Sequence, residues 1–140
     1  MYNSSCWAAP KAVLDKLDVV HRRHLRSILN YKYPHVISNI NLYKRCNSEP
    51  LSARVERSRW RMLGHVLRGP VDGPAYTSLV FAVSSLQMQG RVGRPQSNLF
   101  SLIKRDLNDR NLFINNLNDL NYLRNIAFNR VNWRSMQSNV

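Results

Sequence analysis

Acidic side chains are scarce: 8 Asp and Glu stand against 21 Lys and Arg, a formal net charge of +13. That excess is beyond what solubility needs and points to a polyanionic partner. Residues 1–69 carry most of it, with 13 basic and 4 acidic residues, against 8 and 4 in residues 70–140. The acids Asp15, Asp18, Glu49, Glu56, Asp72, Asp106, Asp109 and Asp119 include no adjacent pair at a strand–turn–strand tip, the arrangement that two-metal phosphoryl transfer uses. A Walker-type loop, an HExxH helix and a Gly-x-Ser-x-Gly elbow are all missing. No catalytic residue and no cofactor are therefore expected. Asp18, His21 and His24 step by three along one helix, but such histidines are more often surface or half-core residues, and neither they nor His35 and Cys46 are read as a metal site. Cys6 and Cys46 are the only cysteines, too few for a disulfide framework or a zinc finger, so a reducing nuclear or cytoplasmic setting is expected. Residues 1–9 lack the basic start and apolar run of a secretory signal, and no run of 18 apolar residues suggests a membrane span.

What the chain does have is centred on Leu51 to Gly69. Ser48, Glu49 and Pro50 offer a cap, an acid and a first-turn proline, and Gly69-Pro70 offers a stop. At about 100° per residue, Leu51, Val55, Met62 and Val66 fall on one side, widened by Trp60, Leu63 and Leu67. Arg54, Arg57, Arg61 and Arg68 gather on the other side within roughly 60°, flanked by Gly64 and His65. A merely soluble face mixes signs, and this one is almost all arginine. The glycine suggests close approach by a phosphate backbone. Arg59 points into the apolar side, so it must snorkel, find a partner or lie where that side is open.

Pro10 opens a helical pattern to about Asn30, with Val13, Leu14, Leu17, Val20, His24, Leu25 and Ile28 as its inward stripe. His21, Arg22, Arg23 and Arg26 form a basic outward band. A linker with Pro34 leads to a short helix from Ser38 or Asn39 to about Cys46. After a turn at 70–74, residues 75–86 favour a strand by residue type, yet no partner strand is evident, and a short helix is the reading adopted. Residues 89–96 form a basic, glycine-rich loop. Helices are expected over about 96–108 and 117–137, the latter with many asparagines that lower helix propensity. The expected fold is all-α, one small helical domain of about five helices, with residues 1–69 as a basic core and 70–140 supplying the loop and C-terminal helices.

Several segments read together in one order: Cys6-Trp7, Leu17-Asp18, His24-Leu25-Arg26-Ser27-Ile28-Leu29 and Ile37-Ser38-Asn39. Then come Arg61-Met62-Leu63-Gly64-His65-Val66-Leu67-Arg68, Gly90-Arg91-Val92-Gly93-Arg94-Pro95, Asp106-Leu107, and Arg130 with Trp133-Arg134. The chain resembles the region after the polymerase domain of LINE-type, non-LTR retrotransposon reverse transcriptases of the RTE-like or jockey-like kind. Family members often have Leu where Trp60 stands and Trp where Met62 stands. The resemblance implies a helical, thumb-like domain that grips template–primer; the polymerase aspartates would lie upstream of Met1. The Gly90–Pro95 stretch also resembles the Arg-Gly-Arg-Pro core of AT-hooks, with Val92 intruding. It reads equally as a second clamp or as a turn with two solvated arginines.

The expectation is a non-catalytic module that binds DNA, RNA or an RNA–DNA hybrid, with no membrane and no small-molecule substrate as partner. The candidate contact residues are Arg54, Arg57, Arg61, His65, Arg68, Arg91, Arg94, Arg22, Arg23 and Arg26. Two alternatives stay open: a decayed mobile-element reading frame without function, and a basic helical adaptor for an acidic protein.

Overall fold

The computed structural model describes residues 3–85 and 98–137. These form seven α-helices and a short 3-10 helix at Ser4–Cys6, and the described residues contain no strand. The helices are α1 (Lys11–Ile28), α2 (Asn39–Arg45), α3 (Leu51–Arg68), α4 (Pro74–Ser84), α5 (Leu99–Asn108), α6 (Leu117–Phe128) and α7 (Arg130–Ser135). The all-α class is as expected, but the helices number seven among the described residues rather than about five. The expected glycine-rich loop, with Arg91 and Arg94, lies outside the described residues.

Asparagine accounts for part of the difference. The stretch 117–137 is two helices because Asn129 leaves helical geometry (φ −79°, ψ 91°) and accepts from the Asn132 N–H, capping α7. Asn98 and Asn116 cap α5 and α6 in the same way, and each in turn donates its own N–H to the side chain of the third helical residue, Ser101 or Asp119. Asn30, Asn47 and Asn111 take positive φ at or just beyond the C-terminal ends of α1, α2 and α5. Beyond α1, the Tyr31 N–H reaches back to the Arg26 carbonyl and Asn30 to Ser27; beyond α2, Ser48 reaches Tyr43 and Asn47 reaches Lys44. Each pair is a Schellman closure that satisfies carbonyls a helix end leaves open. Ser48 therefore finishes α2 instead of capping α3.

Residues 75–86 were the ambiguous stretch, and α4 settles 74–84 as helix. Tyr76, Leu79 and Val83 recur at helical spacing and are buried. The hydroxyls of Thr77, Ser78 and Ser84 turn back onto the carbonyls of Gly73, Pro74 and Val80, which satisfies them inside the helix.

The chain divides into two compact units, one of Ala9–Glu56 and one of Met1–Ala8 with Arg57–Val140, and the division falls inside α3. In the first unit, Leu14, Leu42 and Val55 are buried, together with Asp18. Asp18 accepts from the Ser52 N–H (3.1 Å) and hydroxyl (2.6 Å), so a carboxylate of α1 caps the first turn of α3. The expected α1 stripe is only partly inward: Leu14 is buried and Leu17 and Leu25 half-buried, whereas Val13, Val20, His24 and Ile28 are exposed. The short α2 covers too little of α1 to bury the whole stripe.

In the second unit Trp60, Leu63 and Leu67 of α3 pack in one core with residues of α4 to α7, among them Tyr76, Leu79, Ile103, Leu107, Leu120, Leu123 and Trp133. Met62 and Val66, expected at the centre of the buried side of α3, lie at its margin. The most buried arc, Val55, Arg59, Leu63, Leu67 and Trp60, is turned by about 90° from the expected stripe. The Arg124 guanidinium donates to the Gly69 carbonyl (2.9 Å) and closes the end of α3. No helix among the described residues is long and apolar enough to cross a membrane.

Candidate nucleic-acid interface

Arg59 finds a partner. It is 1% exposed, and its Nε donates to Oδ2 of Asp106 on α5 at 2.8 Å. Its Nη2 lies 2.8 Å from the same oxygen without the alignment of a second hydrogen bond, and its Nη1 has no partner. A charge this buried depends on its counter-charge. Arg110 reinforces the pair from the next turn, donating to the Asp106 carbonyl (2.6 Å) and the Met136 carbonyl (3.1 Å) while its guanidinium lies 4.6 Å from the Trp60 ring centre.

Trp60 and Trp133 join α3 to α7. Their rings stack at 4.2 Å and 7°, and each indole N–H donates to the other residue's carbonyl, at 2.8 Å from Trp60 and 3.2 Å from Trp133. Gly64 is what admits this arrangement. A Cβ on Gly64 would meet Trp133 Nε1, and would lie 2.8 Å from its Cδ1. The close approach expected of a phosphate backbone is made instead by an indole of the same chain. The expected freedom at Gly64 is present, but its cause is internal packing.

The locked tryptophans form the floor of a cavity of about 1050 Å³. Arg57, Arg61, His65 and Arg68 of α3 line it on one side, and Arg130 and Arg134 of α7 on another, with Gln137 at its edge. Its lining includes no carboxylate. Arg57, Arg61, His65 and Arg68 succeed one another at intervals of four, four and three, so one helix face presents them all. Arg130 and Arg134 are likewise four apart, exposed side chains of α7 that flank its buried Trp133. Arg68 donates to the Ala127 carbonyl at 3.0 Å, which fixes its guanidinium at the wall. Burial above all, and then the charges of Arg130 and Arg134, hold the Arg68 guanidinium below its ordinary pKa. Like charges are therefore gathered in a lining that contains no carboxylate.

Of the expected contact residues, Arg57, Arg61, His65 and Arg68 come together in this cleft. Arg54 belongs to the other unit and pairs with Glu49 at 3.3 Å. Arg22, Arg23 and Arg26 also lie in that unit. Arg26 is occupied in holding α1 to the start of α2 and the segment before it, through Asn39 Oδ1 (2.6 Å) and the Ile37 carbonyl (3.4 Å). Arg91 and Arg94 lie outside the described residues. Arg130 and Arg134 were not among the expected contacts. Their signal was present in the i, i+4 spacing around Trp133, but a single long helix over 117–137 hid which face was outward. Asp18, His21 and His24 do not converge: Asp18 serves Ser52, His21 packs against Tyr43 with ring centres 5.9 Å apart, and His24 is exposed. No group of three or more His, Cys, Asp or Glu among the described residues could hold a metal ion.

No protein-family model, no curated protein and no solved structure matches the chain.

Proposed function

We propose that the protein is a non-catalytic nucleic-acid-binding module, of the helical kind that follows the polymerase domain in LINE-type reverse transcriptases, and that it holds DNA, RNA or a hybrid by its phosphate backbone. The observation that carries this reading is the cleft: five arginines and a histidine from two helices around one concavity with no carboxylate in its lining. Guanidinium forks match phosphate geometry bidentately, and a site with only cationic walls attracts a polyphosphate backbone. The buried floor offers no exposed aromatic face for base stacking, since Trp60 and Trp133 are each only 2% exposed. Recognition of the backbone without strong sequence preference follows.

The test is binding of labelled duplex, hybrid and single-stranded oligonucleotides over a salt series. Roughly five phosphate contacts give a slope of log affinity against log salt near −4 to −5, and a loss of a few hundredfold between about 50 and 200 mM. Affinity that is absent at low salt, or indifferent to salt, overturns the reading. Arg61→Ala reduces the slope by about one unit with little change in melting temperature, because its side chain is exposed and outside the core.

A further inference from the structure

The cleft is a concavity, and that shape constrains its ligand more than the charge does. A row of cations along a ridge suits a string of singly charged diesters. Here Arg61 and Arg68 on α3 and Arg130 and Arg134 on α7 line one cavity from two helices, and Arg68 feels the charges of both α7 arginines. Among the described residues, the side chains of Arg61, Arg130 and Arg134 make no ion pair or hydrogen bond with the rest of the chain, and the Arg68 side chain is held by one carbonyl that leaves its other N–H groups for a ligand. Bringing like charges together costs energy that only a concentrated counter-charge offsets. A phosphate monoester carries about −1.5 to −2 at neutral pH and three strong acceptor oxygens. A diester carries a single charge, so it leaves the convergence less well neutralised.

We propose that Arg61, Arg68, Arg130 and Arg134 form a pocket for a compact, multiply charged phosphate group, filled by the terminal phosphate of a nucleic-acid end. The occupant rests on the nucleic-acid reading above, whereas the pocket stands on its own geometry. Arg68, fixed by the Ala127 carbonyl, is the rigid element, and the other three guanidiniums close on the remaining oxygens. The module therefore favours ends over continuous backbone.

The experiment compares two short duplexes of one sequence, one with 5′-phosphates and one with 5′-hydroxyls, at fixed ionic strength, and titrates inorganic tripolyphosphate as a separate probe. Wild-type protein is expected to prefer the phosphorylated duplex by about tenfold, and tripolyphosphate to compete for that preference. The variant Arg130→Gln/Arg134→Gln abolishes the preference, and Lys11→Gln/Lys16→Gln, which removes equal charge from exposed sites on α1, retains it. Should the glutamine variant melt early, Arg130→Lys/Arg134→Lys keeps the charge, loses the planar fork and gives a reduced preference. Equal, salt-dependent binding of both duplexes without a tripolyphosphate effect overturns the pocket and leaves the nucleic-acid reading standing. Tripolyphosphate binding that disappears in Arg130→Gln/Arg134→Gln, with neither duplex bound, supports the pocket as a site for free condensed phosphate and overturns the nucleic-acid reading. Failure of all three probes overturns both.

Discussion

Single residues decide two of the contacts that shape the second unit. Asp106 is the only carboxylate among the described residues that pairs with the buried Arg59. Asp106→Ala leaves that guanidinium uncompensated and is expected to cost about 3–5 kcal/mol in urea unfolding. Replacing both partners by apolar residues, as in Arg59→Met/Asp106→Leu, costs far less, because no orphan charge stays behind. Equal losses in the two variants would mean that the site depends on shape and not on charge. Gly64→Ala gives the α3 backbone about 1 kcal/mol of helix preference but drives Trp133 out of place. Overpacking of about 1–3 kcal/mol and the loss of an indole hydrogen bond outweigh that gain, so the melting temperature falls. A glycine kept for a ligand would give the opposite result, with stability raised and binding lost. The sequence signalled both residues as discordant, Arg59 on an apolar side and a glycine within a helix. It could not name their partners, which lie 47 and 69 positions away along the chain.

At the scale of the elements, helix ends are written in asparagine. Composition alone reads these residues as weakening helices, because their side chains compete for backbone groups. At an end that same competition caps the helix. Asn129→Ala removes the α7 cap and is expected to cost about 1 kcal/mol. Since α7 carries Trp133, Arg130 and Arg134, the same change is expected to weaken the proposed phosphate binding although Asn129 itself does not line the cleft. Asp18→Ala similarly uncaps α3, and thermal unfolding registers it as a loss of about 1–2 kcal/mol. The long helices were legible from apolar spacing, whereas α4 was read as helix only for want of a partner strand; in the fold its Tyr76, Leu79 and Val83 outweigh the β-branched residues around them. The rotation of α3 was not legible. Periodicity locates an apolar side, but which part of it lies deepest depends on the neighbours, and α7 covers the Trp60–Gly64 flank that the apolar count places at the edge.

Across the whole molecule the charge excess becomes local. A net +13 is a sum over the chain, and it raises the expectation of a polyanionic partner without a place for it. Half of the candidate site was visible, because Arg57, Arg61, His65 and Arg68 share one helix face and one periodicity. The other half comes from α7, brought beside α3 by a tryptophan pair whose members are 73 positions apart. No spacing rule links residues at that distance. The two compact units also separate the expected contacts, with Arg22, Arg23, Arg26 and Arg54 in one and the cleft in the other. Arg22→Gln/Arg23→Gln is accordingly expected to leave any preference for phosphorylated ends unaltered while lowering overall affinity through its lost charge, as competition at two salt concentrations resolves.

The parallel indoles of Trp60 and Trp133 are also an optical antenna. Chromophores stacked this closely couple their electronic transitions, so the pair is expected to contribute a split circular-dichroism band wherever their in-plane transition dipoles are rotated against each other. Because the loop between them is long, its closure carries a large entropic cost and belongs late in assembly. In a stopped-flow refolding trace, the helical signal should therefore rise before the coupled band does. If the cleft takes phosphate as proposed, native tryptophan emission is expected to shift on binding, and a fluorescence titration without an added dye reads it.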